Sequence, residues 1–327
     1  MKLKWLQIFL LSLIAFGLGS CIHEYPEEVG VDPSLVEGAI ELSVSLNWNQ
    51  RAEEAQFATR QTESFHRIIT VVSRNGTVVG RDEISISDKE YSAGTITRKL
   101  PFKLHALEYD IAVWEEPVSS SMTADGIFNT TDLADIRLNS FCVPWDFDNI
   151  CGYASARIDL RPYRGEWDTK VIKQLVLNHA GGCFELIATD VTAFLESCNE
   201  ALLKGETYTL SIEFGSETAD GIDAFSGFAL RHNQSLAQVT IPLLLPFGNY
   251  DTLSIAKGFL FCSEEENVTM SLSVHNSARL PIVKTPPFRF SMKRGYITRV
   301  WGDFLSETFD NIFTVDNIWE GEIIIDL

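Results

Sequence analysis

The chain is poor in positive charge: across 327 residues, 26 Lys and Arg stand against 45 Asp and Glu, a net charge of -19 at pH 7. Nucleic acid is held by clustered cations that displace counterions, and without a basic run it is excluded as a partner. Histidine is also scarce. His23, His66, His105, His179, His232 and His275 occur singly, none at helix-face spacing from another, so no metal site is expected. Gly-x-Ser-x-Gly, His-Glu-x-x-His, a phosphate-cradling glycine loop and the dinucleotide fingerprint are all missing. The sequence therefore predicts no catalytic residue, no cofactor and no enzyme activity. The carboxylate pair of a glycoside hydrolase leaves no mark in one dimension, because its chemistry depends on separation in space. Cys-x-x-Cys is absent too, which removes the metal knuckle and the redox motif. No tandem repeat and no low-complexity tract occurs.

A membrane-spanning run is lacking as well. The one long apolar stretch, Trp5 to Phe16, is interrupted by Gln7 and Ser12 and falls short of the roughly 20 residues a spanning helix needs. Lys2 and Lys4 precede it, and Leu18-Gly19-Ser20-Cys21 follows, the order of an exported leader. Leu-Gly-Ser-Cys looks like a lipobox. Residues 1–20 are then a lipoprotein signal peptide, and Cys21 is expected to carry the acyl chains, palmitate among them, that tether the protein to outer-membrane lipid; two or more chains anchor stably. Removing residues 1–20 takes away two lysines and no acid, so -19 becomes -21. Residues 21–37, with His23-Glu24-Tyr25-Pro26-Glu27-Glu28, read as an acidic tether. An acidic cluster behind the lipidated cysteine resembles the surface-export signal of Bacteroidetes-type bacteria, which implies display on the outer surface.

Five further cysteines remain. Cys142 with Cys151 and Cys183 with Cys198 are the nearest pairs for disulfides in an oxidising exterior, with Cys262 left over; the alternative is that all five are buried thiols. Asp146 and Asp148 offer oxygens to calcium, but the loop glycine and closing glutamate of an EF-hand are absent, and a capped turn is the plainer reading. Trp114, Trp145, Trp167, Trp301 and Trp319 are candidates for a sugar-stacking platform, whereas Trp48 belongs to a core by alternation; tryptophan in a sandwich is more often core than platform.

Strand signals dominate. Ile40, Leu42, Val44, Leu46 and Trp48 alternate with polar residues, the period of a strand with one buried face. Phe65–Ser73 and Thr77–Ser87 flank Asn75-Gly76, the strongest short hairpin signal. Further strands are expected over 95–104, 109–115, 152–160, 169–177, 184–189, 207–214, 238–245, 252–261, 268–274, 287–291, 296–301 and 322–326. One short helix is expected over 190–197, capped by Thr189 or Asp190. The glycine- and acid-rich segment 215–225 reads as a linker between a domain at 38–214 and a second at 226–327. Short strands divided by turns at this density indicate an all-β chain with a β-sandwich in each half.

Tyr109-Asp110-Ile111-Ala112-Val113-Trp114, then Phe128-Asn129-Thr130-Thr131-Asp132-Leu133, Phe184 through Asp190 with Phe194-Leu195, and Phe288-Arg289-Phe290 through Arg294, Thr298, Gly302, Leu305 and Phe309-Asp310 resemble segments of the FimB-type minor fimbrial subunits of Bacteroidetes, anchor and tip lipoproteins related to fimbrillins. The resemblance implies two tandem transthyretin-like β-sandwich domains with one short helix, lipid-anchored at the outer membrane and acting in fimbria assembly and adhesion. Other fimbrial subunits would be the partners, with a host or bacterial surface ligand besides. Cys183 departs from the family, which carries a smaller residue there. Assembly would use β-augmentation, with the terminal strands at 40–48 and 322–326 as candidate edges. A surface glycan-binding lipoprotein is the alternative, and it needs Trp145, Trp167 or Trp319 exposed on one face.

Overall fold

The computed structural model describes residues 40–47, 64–119, 127–138, 151–164, 169–203, 205–232, 238–246, 250–306, 312–317 and 323–324. Cys21, Trp48, Cys142, Trp145, Asp146, Asp148, Trp167 and Trp319 lie outside them. The expected class holds: the chain is all-β, with sheets paired into two sandwiches in series and, among the described residues, one α-helix of more than a turn.

The first sandwich pairs a three-stranded sheet, in the order β4 (Thr95–Leu104), β1 (Ile40–Asn47) and β9 (Lys170–Val176), with a five-stranded sheet. The latter runs β10 (Asn178–His179), β8 (Gly152–Asp159), β5 (Glu108–Ser119), β2 (Ser64–Arg74) and β3 (Thr77–Ser87). Asn75 and Gly76 close the β2–β3 turn at φ +50° and +76°, the left-handed conformations that Asn-Gly tolerates. β1 buries every second side chain, as its alternation predicts. It is not an edge, however: it pairs antiparallel with β4 and parallel with β9, because the later strand Lys170–Val176 returns to its far side.

The second sandwich pairs the sheet β16 (Leu253–Phe261), β11 (Gly181–Ala188), β20 (Ile297–Gly302), β21 (Ile312–Asn317) and β22 (Ile323–Ile324) with the sheet β15 (Gln238–Leu243), β12 (Tyr208–Phe214), β17 (Glu265–His275) and β18 (Pro281–Lys284). β19 (Phe288–Lys293) also pairs with β17. A small sheet, β14 (Phe228–Leu230), β13 (Gly221–Asp223), β7 (Ile136–Leu138) and β6 (Phe128–Asn129), joins a hairpin from each half of the chain. α1 (Asp88–Tyr91) is a single turn, and α2 (Val191–Leu203) extends the expected helix by six residues beyond Ser197.

Within the segment 215–225 expected as a linker, residues 221–223 form β13 and pair with β7 and β14. Asp223 then caps a tight turn, accepting from Phe225 N and Ser226 Oγ. Strand pairing changes partner between β10 and β11, at Ala180 and Gly181.

The central strands β2 and β5 of the second sheet of the first sandwich are buried on both faces. Ile68, Val72, Tyr109, Ile111 and Val113 face β1, β4 and β9. Ile69, Val71, Ala112, Trp114 and Tyr153 face the second sandwich and share one continuous core with Phe128, Phe259 and Phe261. Such a strand reads as an unbroken apolar run, which is what Ile111-Ala112-Val113-Trp114 is. Trp114 is wholly buried. Its ring meets Phe128 edge-on at 5.3 Å, and its Nε1 donates to Glu116 Oε2 at 3.2 Å. Trp114→Ala, which leaves a cavity in the seam and removes the donor to Glu116 Oε2, should lower unfolding stability by about 3–5 kcal/mol in chemical denaturation.

Candidate functional site

Successive residues of a strand point to opposite faces, and this alternation decides where the predicted site residues go. On β11, Phe184 points into the second sandwich, with its ring centroid 6.2 Å from that of Phe214 and 6.4 Å from that of Phe290. Cys183 therefore points the other way, beside its cross-strand partner Phe259, into the seam between sandwiches. Cys198 on α2 lies by Tyr208, on the inner side of β12. The pleat thus separates the expected Cys183–Cys198 pair, and both carry free thiols. Cys151 is fully buried, and its expected partner Cys142 lies outside the described residues. Burial pushes the Cys183 and Cys262 thiols up to about 12, so neither supplies a thiolate near neutrality.

Two of the histidines, His66 and His232, are engaged in structure. His66 stacks on Tyr91 with centroids 3.6 Å apart and bonds through Nδ1 to the buried Glu115 at 2.8 Å. The ring of His232 lies between two carboxylates, with Nδ1 2.8 Å from Asp220 and Nε2 3.0 Å from Asp135, so that it ties β14 to the turn before β7. The sequence offered no signal for that bridge, since Asp135, Asp220 and His232 are far apart along it. Among the described residues, no three His, Cys, Asp or Glu side chains gather as a metal set. Of the platform candidates, Trp114 is core and Trp301 is half-buried in β20.

Glu115 and Glu116 are adjacent buried carboxylates, but alternation sends them to opposite faces, which is no arrangement for shared acid and base work. Glu116 Oε1 accepts from Arg67 Nη1 at 2.8 Å, and Arg67 Nε reaches Glu83 at 2.7 Å. Burial pushes the Glu116 carboxyl above the ordinary carboxylate value, with Trp114 and Arg67 pulling the other way. Arg294 ties the two sandwiches together: it donates to Cys262 O at 2.7 Å, to the Tyr153 hydroxyl and to Gly227 O. Gly227 sits at φ +72° against Tyr153, where an added Cβ would collide with that ring. These groups build the fold.

What stays open to partners lies at sheet edges. β9 borders the outer sheet of the first sandwich and exposes Ile172 and Val176 at 62% and 59%. β15 borders the outer sheet of the second sandwich. Between its exit and α2 lies an open cavity of about 670 Å³, lined by Leu195, Leu202, Leu243, Leu245, Tyr208 and Pro242 among others, with Leu203 and Leu244 on its lip at 81% and 70% exposed. Of eight large apolar side chains exposed among the described residues, four sit at these two edges. Scattered exposed apolar residues are ordinary, whereas grouped ones mark contact sites. The other terminal strand named from the sequence, β22, does occupy an edge of its sheet.

Fold and surface together define an all-β protein of stacked sandwiches with exposed apolar side chains grouped at two outer sheet edges. The chain belongs to a family of unknown function, DUF6562, whose model matches residues 33–327. No curated protein matches it in sequence. Among solved structures it is similar to the fimbrial anchor protein Mfa2 from Porphyromonas gingivalis, at 11% identity over 88% of this chain and 99% of that one, with a TM-score of 0.47. It is also similar to a fimbrial assembly protein from Parabacteroides distasonis, at 11% identity over 88% and 98% of the two chains, with a TM-score of 0.41.

Glu185 gives a pH test of the second sandwich. Its carboxylate lies 3.1 Å from both Lys257 Nζ and Arg299 Nε. Burial acts to raise it, but the Ser254 hydroxyl, Lys257 and Arg299 outweigh that and hold it below its ordinary 4.5. A depressed folded pKa contributes stability above the unfolded value that is lost as pH falls through the folded one. Glu185→Gln should therefore cost about 2 kcal/mol at pH 7, the strength of hydrogen bonds to a charged group. The gap from the unchanged chain should close as pH drops below about 4.5 in urea titrations.

Proposed function

We propose that the chain is a lipid-anchored subunit of a cell-surface fimbria, at its anchor or its tip, held to the outer membrane through Cys21 and acting in assembly and adhesion by contact between subunits. The observation that carries this reading is the placement of the segments that resemble FimB-type subunits. Scattered between residues 109 and 305, they fall on β5, β6, β11, α2, β19 and β20, and their apolar side chains Trp114, Phe128, Phe184, Phe194, Phe288, Phe290 and Leu305 meet in a single core.

The rest of the case is chemical. The apolar leader, the Leu-Gly-Ser-Cys order and the acidic tether supply export and anchoring from the first residues. No helix among the described residues is long and apolar enough to cross a membrane, so an anchor in lipid would come from Cys21. The cysteine thiols and histidines described above are committed to packing and bridging, and a protein built this way works through its surfaces. Strand edges are the natural place, since an edge offers backbone groups and side-chain pockets together.

Two measurements test the proposal. Cys21→Ser should shift the chain from the outer-membrane fraction to the soluble fraction; undiminished membrane retention would remove the anchor. Immunogold labelling of intact cells should decorate fibre bases or fibre tips, and label spread evenly over the envelope without fibres would overturn the fimbrial assignment.

A further inference from the structure

The two apolar edges complement each other in charge as well as in hydrophobicity. On the outer face of the first sheet, β9 places Ile172, Gln174 and Val176 in register with Ser43, Ser45 and Asn47 of β1, so the two aliphatic side chains stand above a low, small-residue floor. Among the described residues of β1, β4 and β9 on that face, Lys99, Lys103 and Lys170 surround the single acid Glu41, leaving a positive island on a molecule of net charge -19. The groove between α2 and β15 has the opposite character. Its wall is leucine-rich, and the charged side chains lining it among the described residues are Glu196 and Glu206.

The sheets succeed one another through the molecule, with β9 on the outermost sheet of the first sandwich and β15 on the outermost sheet of the second. Contact between these edges is therefore made between copies. From this we infer that the β9 edge of one copy docks in the α2–β15 groove of the next, with Ile172 and Val176 meeting Leu203 and Leu244 while Lys170 faces Glu196. Pro242 removes one backbone donor from β15, so the joint relies on side chains more than on an added strand. A contact that joins opposite ends is heterologous, and it would line up a short file of copies at the anchored end or the tip of the fibre until a different subunit caps it. The inference rests on the reading of the chain as a contact-making subunit and names its partner as a second copy.

The test uses the purified chain carrying Cys21→Ser, which keeps acyl groups out of the measurement. Sedimentation velocity should show association that grows with concentration. Ile172→Asp with Val176→Asp, or Leu203→Asp with Leu244→Asp, should each weaken it by about tenfold or more, the cost of central interface residues, with thermal melting unchanged. An equimolar mixture of those two double variants retains one intact pair of surfaces and should form a dimer that grows no further. Glu196→Lys should weaken association, and Lys170→Glu in the same chain should restore it. A chain that stays monomeric up to about 0.1 mM, or a mixture that fails to dimerise, overturns the inference. So does a monomeric chain whose groove variants lose capture of a different fimbrial subunit, since the groove would then belong to that partner. Because Cys21-dependent membrane retention and fibre labelling do not use these edges, their persistence beside a monomeric chain would sink this inference and leave the proposed function standing.

Discussion

A β-strand with no solvent face cannot satisfy side chains by pointing them outward, and the rest of this molecule follows from that constraint on β5 and β2, the central strands of the sheet β10-β8-β5-β2-β3. Both must present apolar or internally paired side chains on both sides. β5 does so with Ile111, Ala112, Val113 and Trp114, all fully buried. One face makes a sandwich with β1, β4 and β9, and the other joins the second sandwich through Trp114, Phe128, Phe259 and Phe261. Burying such rings contributes about 25 cal/mol per Å² of apolar area, which makes the seam a part of the core and not a hinge.

Where the doubly buried strands β2 and β5 carry buried charge, the charges are matched inside the protein. Glu116, Arg67 and Glu83 form one chain on one face, and Glu115 with His66 forms another pair on the other. An unpaired buried charge costs several kcal/mol, while a matched pair costs far less. These groups therefore fix the register of β2 against β5 more than they add stability. Arg294 acts in the same way across the seam. Its guanidinium spans the end of β16, the Tyr153 hydroxyl and the turn at Gly227, and the turn must be glycine because a side chain there would strike Tyr153.

This division explains what could be read from sequence. Local signals were plain wherever a local rule operated: alternation predicted β1, Asn75-Gly76 predicted the β2–β3 turn, and the polar-to-apolar step at Asp190 predicted the start of α2. Partnership between distant strands was not legible. β1 reads as a terminal element, yet β9 returns to its other side; residues 215–225 read as a linker, yet β13 pairs with a strand some 85 residues earlier in the chain. The spacing of Cys183 and Cys198 suggested a bond that the pleat of β11 forbids, because side-chain direction in a strand depends on odd and even position and not on proximity along the chain. The Asp135–His232–Asp220 bridge and the α2–β15 groove arise only after strands far apart in sequence have met.

The same constraint explains why the open features lie where they do. Stacked sandwiches have two outermost sheets, one at each end, and each keeps an edge strand with exposed aliphatic side chains at or beside it. Edges of this kind are a hazard that proteins blunt with proline, charge or small strands. β15 carries Pro242, and β9 carries Lys170 and Lys173. Yet Ile172, Val176, Leu203 and Leu244 remain exposed beside those safeguards. A surface guarded against indiscriminate sheet addition but left apolar at chosen points discriminates among partners by side-chain fit and charge, and with a net charge of -19 holding copies apart at long range, only a contact that matches both will form.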